Sequence, residues 1–569
     1  MNVTVRDRVR ICLVSLLLVA VCVLGAPGAR RADCRPNVLV IMMDDFGVGQ
    51  FAPLAQRIKE EDYDPAFVEY VRGMKNGQYG NDTALEAARR AMPVMSGLAS
   101  DGILFTRAFS SSALCAPSRC GFATGLHPNR FGVYSNGDVT REGALDPDRI
   151  LAPRFREAGY LTGHIGKWHL GPLDDDLARP VYERHGLAPD TNPYGLDREG
   201  EAWRELEATG YFGSVPDKLH PLNNGFDVYY GYNYHQSRWY DEQNVWDGFE
   251  HAGVQRGYNT ETFTDRAVAF IDRAQREDKP FLLNLHYHAV HGPLFPNPPD
   301  RYMEPFAEMP GLLRNFYGHV YAVDRGIRRV VDALRSREML ENTLLVFTSD
   351  NGGSVSREST LPGNAPHRGH KGQYTLGGTR VPLVMHWPAA TGAGRVTDAP
   401  VSLLDIMPTA MAAAGIEAPE DLDGRSLLPL IGGAEEGPHD HLVWFGLHSR
   451  SWGFLRETAV NFQTMRAHEP GSWTVVTDRW VLRFTGAVDP GLYTDLPEGR
   501  PARLALYRAE DDLERHNVAD RYPETVQRLR AVAAQRAGEL PPPAWWNQRK
   551  WRELIDSFPG EARGGKNGL

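Results

Sequence analysis

The chain has 569 residues, 42% of them apolar and 24% charged, which is enough to bury a large core and too ordinary for a fibrous or disordered protein. A formal net charge of −10, without clustered Lys and Arg, excludes a nucleic-acid surface. Any site for an anion must therefore concentrate its positive charge locally.

Arg6, Arg8 and Arg10 precede an apolar run from Ile11 to Gly25 and the small residues Ala26-Pro27-Gly28-Ala29. That order is the one found in a secretory signal peptide, here residues 1–29. The run falls short of the roughly 20 residues a membrane span needs, and an uncleaved anchor is the alternative. No later stretch is apolar enough to span. The mature protein is expected to be secreted or periplasmic (lysosomal or extracellular in a eukaryotic host).

Pro36 to Met43 is a continuous apolar run ending in Asp44-Asp45, the pattern of a buried parallel strand with carboxylates at its C-terminal end. The same grammar recurs three times. Tyr160–His164 leads into Gly166-Lys167-Trp168-His169, Phe281–His286 into His288 and His291, and Leu344–Thr348 into Ser349-Asp350-Asn351. Open α/β sheets bind ligands at that edge. Apolar spacing predicts helices over Thr260–Arg276 and Leu313–Leu340. Alternation of strands and helices predicts an α/β fold, with a large mostly parallel central sheet and helices on both faces. Residues 53–93 and 172–222 interrupt this grammar and read as insertions that could shape a pocket. After Gly432-Gly433 the β character of Trp473–Arg483 and a helical Pro523–Arg536 predict a smaller C-terminal α+β domain. The expected division is a catalytic domain over 30–435, the smaller domain over 436–545 and a tail over 546–569.

Asp44, Asp45, Asp350 and Asn351 are oxygen donors, suited to a hard cation such as Ca²⁺ or Mg²⁺ rather than to zinc. Lys167 and His169, at i and i+2 of an extended segment, would point the same way. Lys371 sits in the basic loop Arg368-Gly369-His370-Lys371-Gly372, read as flexible. Singly, each of these residues suits a solvated turn or a satisfied structural side chain. Together with His291 they supply the positive and proton-transfer groups an anionic ester needs. His286 and His288 read as core or supporting residues.

Cys115-Ala116-Pro117-Ser118-Arg119, followed by Thr124-Gly125, closely resembles the signature of the type I sulfatases of the alkaline phosphatase superfamily. The order of segments from about Pro36 to Asp520 resembles that family as well. The resemblance implies that Cys115 is converted to 3-oxoalanine (formylglycine) by a formylglycine-generating enzyme. It further implies that Asp44, Asp45, Asp350, Asn351 and the modified Cys115 hold one divalent cation, Ca²⁺ ahead of Mg²⁺. Arg119 then matches the arginine that holds the aldehyde hydrate, Lys167 and Lys371 the lysines that grip the sulfate, and His169 and His291 the active-site histidines. In the implied mechanism the hydrate attacks sulfur, helped by a carboxylate (Asp350), and His169 takes the proton that releases the sulfate. The chain departs from the family at Leu376, where a Glu usually precedes the two glycines, and at Phe122, where Leu is more typical. Cys34 and Cys120 are left as a pair in an oxidising compartment or as two buried thiols.

The expected function is hydrolysis of a sulfate monoester, of a sulfated carbohydrate or an aryl sulfate. A phosphonate or phosphate ester hydrolase of the same superfamily is one alternative, and a non-catalytic glycan-binding relative another.

Overall fold

The computed structural model describes residues 35–544 apart from 75–76, 235, 357, 393, 447–471, 486–503 and 542. The predicted signal segment, Cys34 and the tail from 546 lie outside the described residues.

The strands in chain order are β1 (Asn37–Met43), β2 (Ile103–Phe105), β3 (Ala108–Phe109), β4 (Leu161–Lys167), β5 (Val228–Tyr232), β6 (Trp246–Asp247), β7 (Glu250–His251), β8 (Phe281–His286), β9 (Thr343–Ser349), β10 (Leu383–His386), β11 (Arg395–Thr397), β12 (Val401–Ser402), β13 (Leu442–Gly446), β14 (Ser472–Val476), β15 (Trp480–Thr485) and β16 (Leu504–Arg508). The main sheet has ten strands in the order β11-β2-β10-β9-β1-β8-β4-β5-β6-β7. Its centre, β9-β1-β8-β4-β5, is parallel throughout. Towards the edges β10 runs antiparallel to both β9 and β2, and β5-β6-β7 is an antiparallel meander. The sheet is thus mixed at its margins, because a two-residue turn such as Gly248-Phe249 cannot make a parallel crossover.

Every residue of β1 is buried. Leu39, Ile41 and Met43 face one apolar cluster, built with the helices Asn259–Glu277 and Gly311–Ser336. Val38, Val40 and Met42 face the other, with the helices Cys115–Thr124 and Ile406–Ala413. Alternate side chains of a strand point to opposite faces, so a continuous apolar run requires cover on both. The second predicted helix starts at Gly311 and stops at Ser336, short of Leu340, because Glu338 takes a positive φ of 56°. Residues 53–93 fold into short helices, including Pro65–Gly73 and Asn81–Arg90, that pack into the first cluster.

The smaller antiparallel sheet is β13-β14-β15-β16, covered by the helix Pro523–Gly538. It braces two loops of the main body. Trp444 Nε1 donates to Ser110 O (2.8 Å), Thr474 Oγ1 to Tyr374 O (2.6 Å), and Arg368 N to Asp512 O (3.2 Å). Among the described residues no helix is long and apolar enough to cross a membrane.

Asp324, buried in the long helix, accepts hydrogen bonds from Val94 N (3.1 Å) and Met95 N (3.0 Å) and so caps a neighbouring helix. Burial pushes its carboxyl from 3.8 up to about 6, against the pull of those two N–H groups. The folded value lies above the unfolded one, so the folded state binds this proton more tightly. Its contribution to stability is therefore greatest at low pH and is lost as pH rises through about 4 to 6. Chemical-denaturation midpoints of wild type and Asp324→Asn should diverge progressively across that window and keep a constant difference above pH 7.

Candidate active site

The C-terminal ends of β4, β8, β1 and β9 lie side by side, and the residues that follow them form one buried cluster. Register sets this: Met43 pairs with Ser349, so Asp44 and Asp350 emerge together, and Met42 and Gly166 both pair with His286. Asp44 N donates to Ala289 O and Asp350 N to Met43 O, fixing the acids to the adjoining strand ends. Gly166, at φ 103°, has no alternative here, since a Cβ would come within 1.8 Å of His286 O.

Asp44, Asp45, Asp350, Asn351, Cys115, Arg119, Lys167, His169 and Lys371 are all buried. Arg119 donates Nε and Nη2 to Asp350 Oδ2 at 3.0 and 2.8 Å, and Nη2 lies 3.5 Å from Asp44 Oδ2. Lys167 Nζ reaches Asp44 Oδ2 at 2.5 Å. Lys371 Nζ reaches Asp45 at 2.7 Å. Three carboxylates thus face three fixed cations. Asp45 Oδ1 lies 4.0 Å from Cys115 Sγ. Cys115 opens its ten-residue helix, whose positive end faces the cluster. Burial pushes the thiol up to about 12, against the lowering pull of Lys167 and Lys371.

His291, about 15% exposed on its side chain, holds Nδ1 2.7 Å from Gly292 O and Nε2 3.8 Å from Asp45 Oδ2. The bond to the carbonyl makes Nδ1 the protonated nitrogen and leaves the Nε2 lone pair towards the acids. Burial and then Lys371 push this imidazole down to about 3, so it is neutral. Burial would lower Lys371, but Asp45 beside it dominates and holds the ammonium well above its ordinary value.

The donor set fits a hard divalent ion. Asp44, Asp45, Cys115 and His291 each bring a ligand atom within 4.8 Å of the others. Asp44 Oδ1 and Asn351 Oδ1 are buried oxygens without a hydrogen-bond partner. Asn351 turns its Nδ2 to Asp45 Oδ1 (2.8 Å), which leaves the amide oxygen for another partner. Asp350 Oδ2 is engaged by Arg119, and its Oδ1 accepts from Asp45 N at 3.2 Å.

Two expectations need correction. His169 has φ 57°, in the left-handed region, so the strand ends at Lys167 and alternation along an extended segment does not orient the pair. Lys371 is not on an exposed flexible loop. It is buried against Asp45, between glycines at φ 89° and 88° that turn the chain inward. Arg119 engages Asp350 Oδ2, just as Asn351 and Lys371 engage Asp45, whose Oδ1 lies 4.0 Å from the Cys115 sulfur. His286 supports the site as expected: its Nδ1 lies 3.2 Å from Arg119 Nη1 and, with Lys167 O, fixes that edge of the guanidinium. His288 is supporting, packed on Trp239 at 4.6 Å. Leu376 lies in the apolar cluster with Phe109, Trp444 and Tyr507, which explains an apolar residue there. Cys120 is a buried free thiol.

A cleft of about 370 Å³ adjoins the cluster, lined by Asp45 and His291 together with Phe67, Phe316, Glu358 and Asn364 among others. Phe67 comes from the 53–93 segment; none of the described lining residues comes from 172–222.

A mixed α/β sheet that gathers acids, lysines and a helix-opening Cys-x-Pro-Ser-Arg at one edge defines an alkaline phosphatase-like hydrolase of anionic esters. The sulfatase family model matches residues 36–416, more than half of the chain, and the chain belongs to that family of sulfuric ester hydrolases. It is 30% identical over 528 residues to the uncharacterized sulfatase YdeN of Escherichia coli K12, covering 91% of this chain and 89% of that one. It is 28% identical over 436 residues to the N-acetylgalactosamine-6-sulfatase of Canis lupus familiaris, covering 74% and 70%. The crystal structure of Ps i-CgsB in complex with k-i-k-neocarrahexaose superposes with a TM-score of 0.66 at 23% identity, covering 92% of this chain and 98% of that one.

Removing one member of a buried ion pair leaves an uncompensated charge, at a cost of about 3–5 kcal/mol. Lys167→Met should lower unfolding free energy by that order in urea titrations, and adding Asp44→Leu should restore most of it.

Proposed function

We propose that this enzyme hydrolyses sulfate monoesters of a sulfated glycan. In this reading Cys115 is oxidised to formylglycine, and Asp44, Asp45, Asp350 and Asn351 hold one divalent cation, Ca²⁺ ahead of Mg²⁺. The observation that carries the reading is the meeting of three buried carboxylates with Arg119, Lys167 and Lys371 around the Cys115 side chain.

The formylglycine hydrate supplies a hydroxyl nucleophile with a second hydroxyl for release, and the bound cation supplies Lewis-acid stabilisation of sulfuryl oxygens. The chain's own groups divide the remaining work. Arg119, held from behind by His286 and Lys167 O, keeps Asp350 fixed and offers its remaining N–H capacity to position 115. Asp350 is the acceptor for the nucleophile's proton, since burial and the neighbouring Asp44 hold its carboxyl above the ordinary carboxylate value. Lys167 and Lys371 bind the sulfuryl oxygens as ammonium groups in a site without bulk water. Lys371 also donates to the departing oxygen, since His291 is neutral with its Nε2 lone pair inward. His169 is the base for release. Secretion and a formylglycine-generating enzyme as maturation partner belong to the same reading.

A cleft of 370 Å³ with polar and aromatic walls suits a sugar. The N-acetylgalactosamine-6-sulfatase relative and the neocarrahexaose complex support that class.

Cys115→Ser should lower steady-state turnover of an aryl sulfate by at least about 1000-fold, and the wild-type peptide spanning position 115 should show the mass of an aldehyde in place of a thiol. Full activity in Cys115→Ser, or an intact thiol in fully active enzyme, overturns the modification. Chelation should abolish turnover and added Ca²⁺ or Mg²⁺ restore it. A higher kcat/KM for an aryl phosphate diester than for the aryl sulfate would assign the site to the phosphoester branch instead.

A further inference from the structure

The cleft beside the reactive cluster is polar, but most of its polar side chains are already spent on holding its own wall together. Gln50 accepts from Gly47 N and donates to Thr360. Asn364 accepts from Gly353 N and donates to Gly353 O and Gly369 O. Ser359 accepts from Ser356 N and donates to Ser354 O.

Glu358 differs. Apart from Asp45 and His291, it is the one ionisable side chain among the described lining residues, and no Lys or Arg is among them. Its Oε2 accepts from Leu294 N at 2.8 Å. The carboxylate packs against Gly292, where an added Cβ would lie 3.1 Å from Oε2. This pins a carboxylate beside the residue that follows His291, on the path from the reactive cluster into the cleft. Phe67 and Phe316 supply apolar wall for a ring face.

We infer that Glu358 makes this cleft select a singly sulfated sugar with hydroxyl or ammonium substituents and reject a second sulfate or carboxylate. The inference rests on the sulfatase reading above. An anion placed next to Glu358 meets its like charge. A hydroxyl donates to the carboxylate, and an ammonium pairs with it. The discrimination is built from repulsion as much as from attraction, and it leaves the sulfate-gripping lysines untouched.

The test is binding, which needs no turnover. Calorimetry with Cys115→Ser protein in Ca²⁺ compares hexosamine monosulfates whose amine is free, N-acetylated or N-sulfated. The free-amine members should bind at least 10-fold tighter than their N-sulfated counterparts, with the N-acetyl members between. Adding Glu358→Gln, which keeps an oxygen for Leu294 N, should reduce that preference to about two-fold, and Glu358→Lys should reverse it. N-sulfated members binding as tightly in the Glu358 protein, a preference that persists in Glu358→Gln, or no binding by any member overturns the inference. Because the readout is a ratio, a general loss of affinity cancels. Aryl sulfate turnover by the wild-type enzyme tests the hydrolase reading separately.

Discussion

Burying charge is costly unless every ion is paired, and this active site is organised around meeting that condition. Asp44, Asp45 and Asp350 face Lys167, Lys371 and Arg119 in a cluster closed to solvent. The side chains alone bring formal charge close to neutrality. A divalent cation makes the cluster positive, which suits an anionic ester however negative the rest of the surface is. The overall charge of −10 therefore says little about the ligand, because the field that matters is local.

The fold delivers those charges by register. Parallel pairing brings four strand ends to one edge: Asp44, Asp45, Asp350 and Asn351 follow one or two positions after their ladders, Lys167 closes its own, and His291 comes five positions after His286. The remaining partners come from loops, and loops need bracing. The small β13–β16 sheet provides it. Trp444 holds the Ser110 segment that leads to Cys115, and Thr474 holds Tyr374, three residues past Lys371. A Cβ on Gly446 would collide with the Tyr374 ring at 1.8 Å, so that strand lies as close as a backbone allows. The Leu376 departure belongs to this contact, where an apolar side chain packs with Phe109 and Trp444.

What the sequence revealed and what it hid follow from the range of each interaction. The run from Asn37 to Met43 needs only its own composition to be read as a two-faced buried strand, and the acids after it follow directly. Phe281–His286 matches its strand residue for residue. The long helix was overextended because apolar spacing continues through Met339 and Leu340, which pack against the core from outside the helix. Lys371 was misread because its burial depends on Asp45, 326 positions away. His169 was misread because a single positive φ cancels the period-two argument. Glu358 had no local signal at all, since its cleft is assembled from the separate segments that carry Asp45, Phe67, His291 and Phe316.

The pairing of the lysines also shapes how an anion enters. Lys167 and Lys371 are each held by a carboxylate, at 2.5 and 2.7 Å. Either can serve a sulfuryl oxygen only by sharing its ammonium protons or by being released. On the proposed reading, Asp44 and Asp45 would hold a divalent ion that draws their charge away from both lysines, while Arg119 holds Asp350. The two lysines can then pass from carboxylate to sulfate without leaving a buried charge unpaired. On that reading, occupancy by the cation and affinity for the anionic ester would be coupled through the same two carboxylates.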